Sequence, residues 1–93
     1  MKQFRWDPVK NAWLLRERGI TFDEVVVAIA QGRVLDILEH PHPERYQRQR
    51  LFVVEVRRYA YLVPFLETAD DIFLKTVIPS RKATKQYLQK EAT

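Results

Sequence analysis

The chain contains no cysteine, so disulfide bonds, cysteine-ligated zinc and thiol catalysis are all excluded. This absence fits a reducing compartment. No apolar run approaches the ~18 residues that a membrane-spanning helix requires. The first residues, MKQFRWDPVK, also lack the apolar core of a signal peptide. We therefore expect a cytoplasmic protein that does not enter a membrane.

Length and composition indicate one folded domain covering residues 1–93. The chain has 93 residues, of which 46% are hydrophobic and 12% aromatic, enough for one modest core. Its formal net charge is +4, which favours an anionic partner, either nucleic acid or an acidic protein. An excess of this size also occurs in small domains that use it only for solubility.

Helix caps predict two N-terminal helices. In WDPVKNAWLLRERGI, Asp7 can cap the first free N–H groups, and Gly19 can end the helix. In TFDEVVVAIAQG, Thr21 and Glu24 have the spacing of a capping box. The valine run in this second segment would suit a strand by propensity, but the caps favour a helix.

The middle of the chain predicts four strands, and Ser80 predicts the cap of a final helix. The strands fall at 33–39, 50–56, 59–65 and 72–78, with a polar loop at 40–49 and turns at 57–58 and 67–71. Short connections imply an antiparallel meander. Helices before and after a run of strands imply an α+β fold with the helices on one face of the sheet.

The junction between the last strand and the last helix contains a candidate anion-binding site. Backbone N–H groups at the start of a helix bind phosphate well, and Arg81 and Lys82 lie beside the Ser80 cap. The alternative is that Ser80 only caps the helix and that both cations simply face solvent.

Three blocks of the sequence together resemble the BrnT family of type II toxin–antitoxin toxins. They are FRWDPVKNAW, RGITFDEVV and IPSRKATKQY, in the family's order and over nearly the whole chain. The matching residues are Phe4, Trp6, Asp7, Lys10, Asn11, Gly19, Ile20, Phe22, Asp23, Glu24, Ser80, Arg81, Lys82, Ala83 and Thr84. The family often has histidine where this chain has Arg18, and Ser-Ala-Arg where this chain has Ile78-Pro79-Ser80-Arg81.

This resemblance implies a RelE-like α+β toxin that cleaves RNA without a metal or cofactor. It also implies a cognate antitoxin, typically a small DNA-binding protein that wraps the toxin in a heteromeric complex and represses the shared operon. A non-catalytic binding module of the same fold is the alternative. A small regulatory protein with an incidental basic surface is a third reading.

Metal-free RNA cleavage requires a base, an acid and cations that stabilise the charged phosphorane. Our candidates for the catalytic set are Arg50, Lys75, Arg81 and Tyr61, and those for RNA binding are Arg45, Arg48, Ser80 and Lys82. The base and the acid remain open among Glu39, His40, His42, Tyr46, Glu55 and Tyr61. The HPHP histidines can equally be part of an exposed loop, and without a third ligand they are a weak metal signal.

Overall fold

Three helices and six strands lie within residues 2–45 and 49–89, the part of the chain that the computed structural model describes. They are β1 (Gln3–Arg5), α1 (Pro8–Arg18), α2 (Phe22–Ala30), β2 (Val34–Glu39), β3 (Gln49–Val56), β4 (Tyr59–Glu67), β5 (Asp71–Leu74), β6 (Ile78–Pro79) and α3 (Arg81–Leu88). The predicted α+β class is confirmed. Among these helices, none is long and apolar enough to cross a membrane.

The predicted caps of the first two helices are confirmed. The Asp7 carboxylate accepts a hydrogen bond of 2.9 Å from the backbone N–H of Val9. Gly19 ends α1 in the left-handed region, with φ at 67°. Thr21 and Glu24 form the capping box through two reciprocal hydrogen bonds of 3.2 Å. Each cap depends on residues within a few positions, which is why the sequence alone predicts it.

The sheet contains the predicted meander and two further short strands. Strands β2, β3, β4 and β5 pair antiparallel in sequence order. Strand β1 adds to β5 in parallel, and β6 pairs with β4, so the sheet is mixed and has six strands rather than four. A strand of three residues is too short to show an alternating pattern, so sequence reasoning missed β1, whereas β6 begins at Ile78, the last residue of the predicted fourth strand.

The predicted fourth strand, 72–78, is interrupted at 75–77 because the chain bulges after Leu74. Leu74 pairs with Phe65, and Ile78 pairs with Leu62. An advance of four residues after β5 is therefore opposed by an advance of only three residues along β4. The extra residue reverses the alternation of side chains. Leu74 and Val77, which a regular strand would place on opposite faces, therefore both pack into the core cluster that contains Leu14 and Phe22.

Helices cover both faces of the sheet, which corrects the prediction of one covered face. On the first face, which we call the α1/α2 face, Leu14 and Phe22 pack with Phe52 and Phe65 of the sheet. On the opposite face, the α3 face, Ala83 and Tyr87 pack with Val53, Ala60 and Leu62. Adjacent residues of β3, such as Val53 and Val54, are consequently both fully buried. A continuous apolar run such as LFVV is typical of a strand covered on both sides.

Candidate functional site

The start of α3 is held against the beginning of β4. The backbone N–H of Ser80 donates to the carbonyl of Ala60 at 3.0 Å. The hydroxyl of Ser80 accepts a 3.0 Å hydrogen bond from the backbone N–H of Ala83, which confirms the predicted cap. Ser80 therefore connects the strand, the helix and the sheet at one point.

Thr84 completes this attachment from inside the first turn of the helix. Its hydroxyl accepts from the backbone N–H of Ala60 at 2.9 Å and donates to the carbonyl of Ser80 at 2.8 Å. Thr84 is only 3% exposed and Ala60 is fully buried. Because these hydrogen bonds are shielded from water, they fix the direction in which α3 leaves the sheet.

Arg81 and Lys82 are exposed on this firmly held turn. Neither side chain makes a hydrogen bond or an ion pair within residues 2–45 and 49–89. The first turn of α3 contains no acidic residue. Two uncompensated cations therefore lie beside the positive end of a helix, an arrangement that attracts anions such as phosphate.

Arg50 lies elsewhere, and its charge is partly compensated by a carboxylate that it shares with a second cation. Its guanidinium lies 2.6 Å from a carboxylate oxygen of Glu67, whose other oxygen lies 2.5 Å from Nζ of Lys2. The hydrogen bond from Lys2 lowers the pKa of Glu67 below its ordinary 4.5, and the charges of Lys2 and Arg50 act in the same direction. The guanidinium also lies 5.1 Å from the ring centre of Phe65 on the α1/α2 face.

The predicted catalytic groups are not brought together. Tyr61 is half-buried against the α1/α2 core, whereas Arg81 begins the helix on the α3 face. Arg50 pairs with Phe65, four residues further along β4 than Tyr61, which corresponds to about 13 Å of strand. Lys75 is exposed after β5, with Nζ 5.6 Å from the ring centre of Phe73.

The residues predicted from the polar loop are only partly described. Arg45 is exposed at the end of the turn 43–45, and its backbone N–H donates to the carbonyl of His42 at 3.1 Å. Arg48 lies outside the described residues. In the part of the chain the structure describes, no three histidine or acidic side chains are grouped so that they could hold a metal ion.

Sequence reasoning gave no role to the β3–β4 turn, which carries Arg57 and Arg58. The guanidinium of Arg57 forms an ion pair with Glu24 and donates to the carbonyl of Gly19 at 3.0 Å. The turn therefore holds the corner between α1 and α2. A groove of about 590 Å³ lies between this turn and α2, with Val27 and Val56 among its lining residues. The sequence feature that could have indicated a role for this turn is the pair of arginines between two apolar runs.

Many of the residues that match the BrnT pattern have structural roles. The rings of Trp6 and Phe22 stack at 5.7 Å, and the side-chain oxygen of Asn11 accepts from the backbone N–H of Phe22 at 2.7 Å. Lys10 lies over the ring of Trp13 at 4.2 Å. No protein-family model and no curated protein matches this sequence.

Proposed function

We propose that this chain is the toxin of a type II toxin–antitoxin pair, a RelE-like and BrnT-like endoribonuclease that cleaves RNA in the cytoplasm without a metal. In this proposal a cognate antitoxin binds the toxin and blocks cleavage. The resemblance of three ordered sequence blocks suggests the class, and the α+β architecture is consistent with it.

One observation carries the proposal. In the terminal block, Ser80 caps α3, and Ala83 and Thr84 are buried against the sheet. Arg81 and Lys82 are exposed and have no structural partner among the residues described. Because packing explains the first three residues and not these two, ligand binding is the simplest reason for the pair.

We assign Arg81 the role of stabilising the negative charge that develops on the scissile phosphate, and Lys82 that of binding the RNA backbone. A guanidinium can form two parallel hydrogen bonds to phosphate oxygens, and a lysine supplies a point charge. Since α3 is tied to β4 through Ser80 and Thr84, Arg81 starts from a fixed backbone position, which favours charge stabilisation in the transition state.

A non-catalytic binding module is the second candidate, and the separation of the predicted groups favours it. Arg50 is paired with Glu67, and Tyr61 lies on the other face of the sheet from α3. In this alternative the basic turn would bind an acidic segment of an antitoxin-like partner in transcriptional regulation, and no RNA would be cut.

Incubation of the purified protein with a structured RNA in EDTA separates the two candidates. We expect the wild-type protein to cleave and Arg81→Ala to lose about a hundredfold in rate, the effect of removing one group that stabilises transition-state charge. Arg5→Ala is the control for the loss of an arginine elsewhere, because Arg5 is exposed on the edge strand β1, where its guanidinium lies 3.7 Å from the carboxylate of Asp71. Absence of cleavage by the wild-type protein would reject the nuclease.

The partner is tested separately by co-expressing the chain with the product of the adjacent reading frame. We expect the two proteins to co-purify and the complex to be inactive on RNA. Full cleavage by the purified complex would contradict inhibition by the antitoxin, whichever surface it binds.

A further inference from the structure

The β3–β4 hairpin has a turn that backbone preferences do not explain. Val56 pairs with Tyr59, so the loop consists of Arg57 and Arg58 alone. Both have positive φ, at 52° and 66°. Two-residue hairpin loops of this kind strongly favour Asn-Gly or similar pairs, since a side chain is strained in the left-handed region. Two arginines at these positions therefore require another reason.

The structure accounts for Arg57 and not for Arg58. Arg57 is engaged with Glu24 and with the carbonyl of Gly19, so it anchors the turn to the corner between α1 and α2. Arg58 is exposed, and its side chain has no hydrogen bond or ion pair within the described ranges 2–45 and 49–89. The turn thus holds one arginine in place and presents the next one to solvent.

An aromatic ring follows directly. Tyr59 is half-buried, with its ring 5.6 Å from that of Tyr61 and steeply inclined to it. Strand β6 pairs with β4 at Tyr61 and Leu62. Among the described strands, none pairs with β4 on that side of Tyr59. The start of α3 occupies the edge at the next residue, because Ala60 bonds Ser80 and Thr84 through its backbone, so Tyr59 lies where the covered edge ends and its ring is held by that of Tyr61.

We propose that Arg58 and Tyr59 form a second contact for single-stranded RNA, in which Arg58 binds a phosphate and Tyr59 stacks on an adjacent base. Positive charge combined with an aromatic platform is how proteins bind single strands without reading their sequence. Arg58 and Tyr59 are neighbours in the chain, so a single nucleotide can reach both.

RNA fits this surface better than an acidic protein segment does. An acidic segment would need apolar anchoring, which the hairpin offers in the groove towards α2. The charged residues that line that groove balance, because the carboxylates of Asp23, Glu24 and Glu55 face the guanidinium groups of Arg33, Arg57 and Arg58, so it offers an acidic segment no net attraction. On the side of Tyr59, the strand leads through Ala60 to Ser80 and the cations of the α3 turn. The two basic turns therefore lie near the same end of β4. This inference deepens the proposed function and rests on it for the identity of the ligand.

The test measures binding of a fluorescein-labelled 2′-O-methyl oligouridine of about 12 nucleotides, a length within the range that single domains occupy. The methylated 2′ oxygen cannot attack the phosphate, so binding is measured without cleavage. Anisotropy titrations at several salt concentrations compare the wild type with Arg58→Gly, Arg58→Lys and Tyr59→Leu. Arg5→Ala is the control for the loss of one exposed arginine.

The two residues should give different signatures. Arg58→Gly should weaken binding and reduce the slope of log affinity against log salt by about 0.7, the value for one phosphate contact on a single strand. Arg58→Lys should keep the slope. Tyr59→Leu should weaken binding by at least about fivefold, as expected for one lost stacking contact, with the slope unchanged.

The Arg58→Gly variant contains its own control for folding. Glycine adopts positive φ readily, so the Tm of Arg58→Gly should be equal to or above that of the wild type. Lost binding in that variant then reports the missing side chain. Undetectable binding by the wild type, or unchanged binding in Arg58→Gly and Tyr59→Leu, would overturn the inference. Polyglutamate serves as an acidic competitor of the probe. If Arg58→Gly and Tyr59→Leu weakened polyglutamate binding as strongly as RNA binding, the inference would also be overturned.

The cleavage assay keeps this result separate from the proposed nuclease. A wild type that binds the probe through Arg58 and Tyr59 but cuts no RNA would reject the nuclease and support the RNA contact. A wild type that cuts RNA, with binding intact in both hairpin variants, would support the nuclease and reject the contact.

Discussion

Replacing Thr84 by valine tests whether α3 is held to the sheet by buried hydrogen bonds. Valine has nearly the shape of threonine but no hydroxyl. The substitution leaves the backbone N–H of Ala60 without the acceptor that lies 2.9 Å away in the wild type. Ala60 is fully buried, so water cannot replace that acceptor. The carbonyl of Ser80 keeps its 3.0 Å hydrogen bond from the backbone N–H of residue 84 and loses less.

The expected magnitude follows from the one group left unsatisfied. A buried donor without an acceptor costs roughly 1–3 kcal/mol, so we expect Thr84→Val to lower the free energy of unfolding by about 2 kcal/mol. In a domain of this size that loss lowers the Tm by roughly 8–16 °C. Thr84→Ser is the matched variant, because it keeps the hydroxyl and removes one methyl group, at about 0.8 kcal/mol.

Urea unfolding followed by circular dichroism measures both variants against the wild type. We expect the valine variant to be less stable than the serine variant, although valine is the more apolar residue. If Thr84→Val were as stable as Thr84→Ser or more stable, the hydroxyl would not be what holds α3, and apolar packing of the helix would account for its position.

Three further predictions concern the core, a turn and the acid range. Leu14→Ala should lower the free energy of unfolding by about 2–5 kcal/mol, because Leu14 is fully buried; a loss below 1 kcal/mol in urea unfolding would contradict its place in the core. Gly19→Ala should cost about 1 kcal/mol from its φ of 67° alone, since nothing lies within 4 Å of the added Cβ; an unchanged urea midpoint would refute this. The contribution of Glu67 should be complete above its ordinary pKa of 4.5 and be lost as the pH falls through its lowered folded value, because its pairing with Lys2 stabilises the charged form. Urea midpoints measured from pH 7 to pH 3 should therefore fall less steeply in Glu67→Gln, and parallel curves would rule out this linkage.

The parts of the fold that sequence reasoning predicted well are those with local causes. Asp7, Thr21 and Ser80 cap helices through hydrogen bonds to backbone groups two or three residues away, so their patterns are visible in a short window. Two of the three antiparallel pairings of the meander, β3 with β4 and β4 with β5, follow from short connections between strands. The bulge after Leu74 has no such local signal, because it arises where β4 pairs with both β5 and β6 along one edge.

The residues of the candidate site also divide into those with a local sequence signal and those that depend on distant partners. Arg81 and Lys82 could be found from sequence because the cap beside them is a local pattern. Arg50 looked equally available, but its partner Glu67 lies 17 positions away and is shared with Lys2, 65 positions from Glu67. A sequence window cannot show that a cation is compensated by so distant a carboxylate.

The sequence by itself determined where the helices begin, which segments alternate as strands, that no thiol chemistry occurs, and that the chain carries excess positive charge. Only the tertiary structure decided which faces of the sheet are covered, where the last strand breaks, and which cations stay unpaired. Caps and alternation arise from forces between near neighbours in the chain. Burial and charge compensation depend on residues that meet only after the sheet has formed, so Arg50 is engaged while Arg58 and Arg81 remain open to solvent.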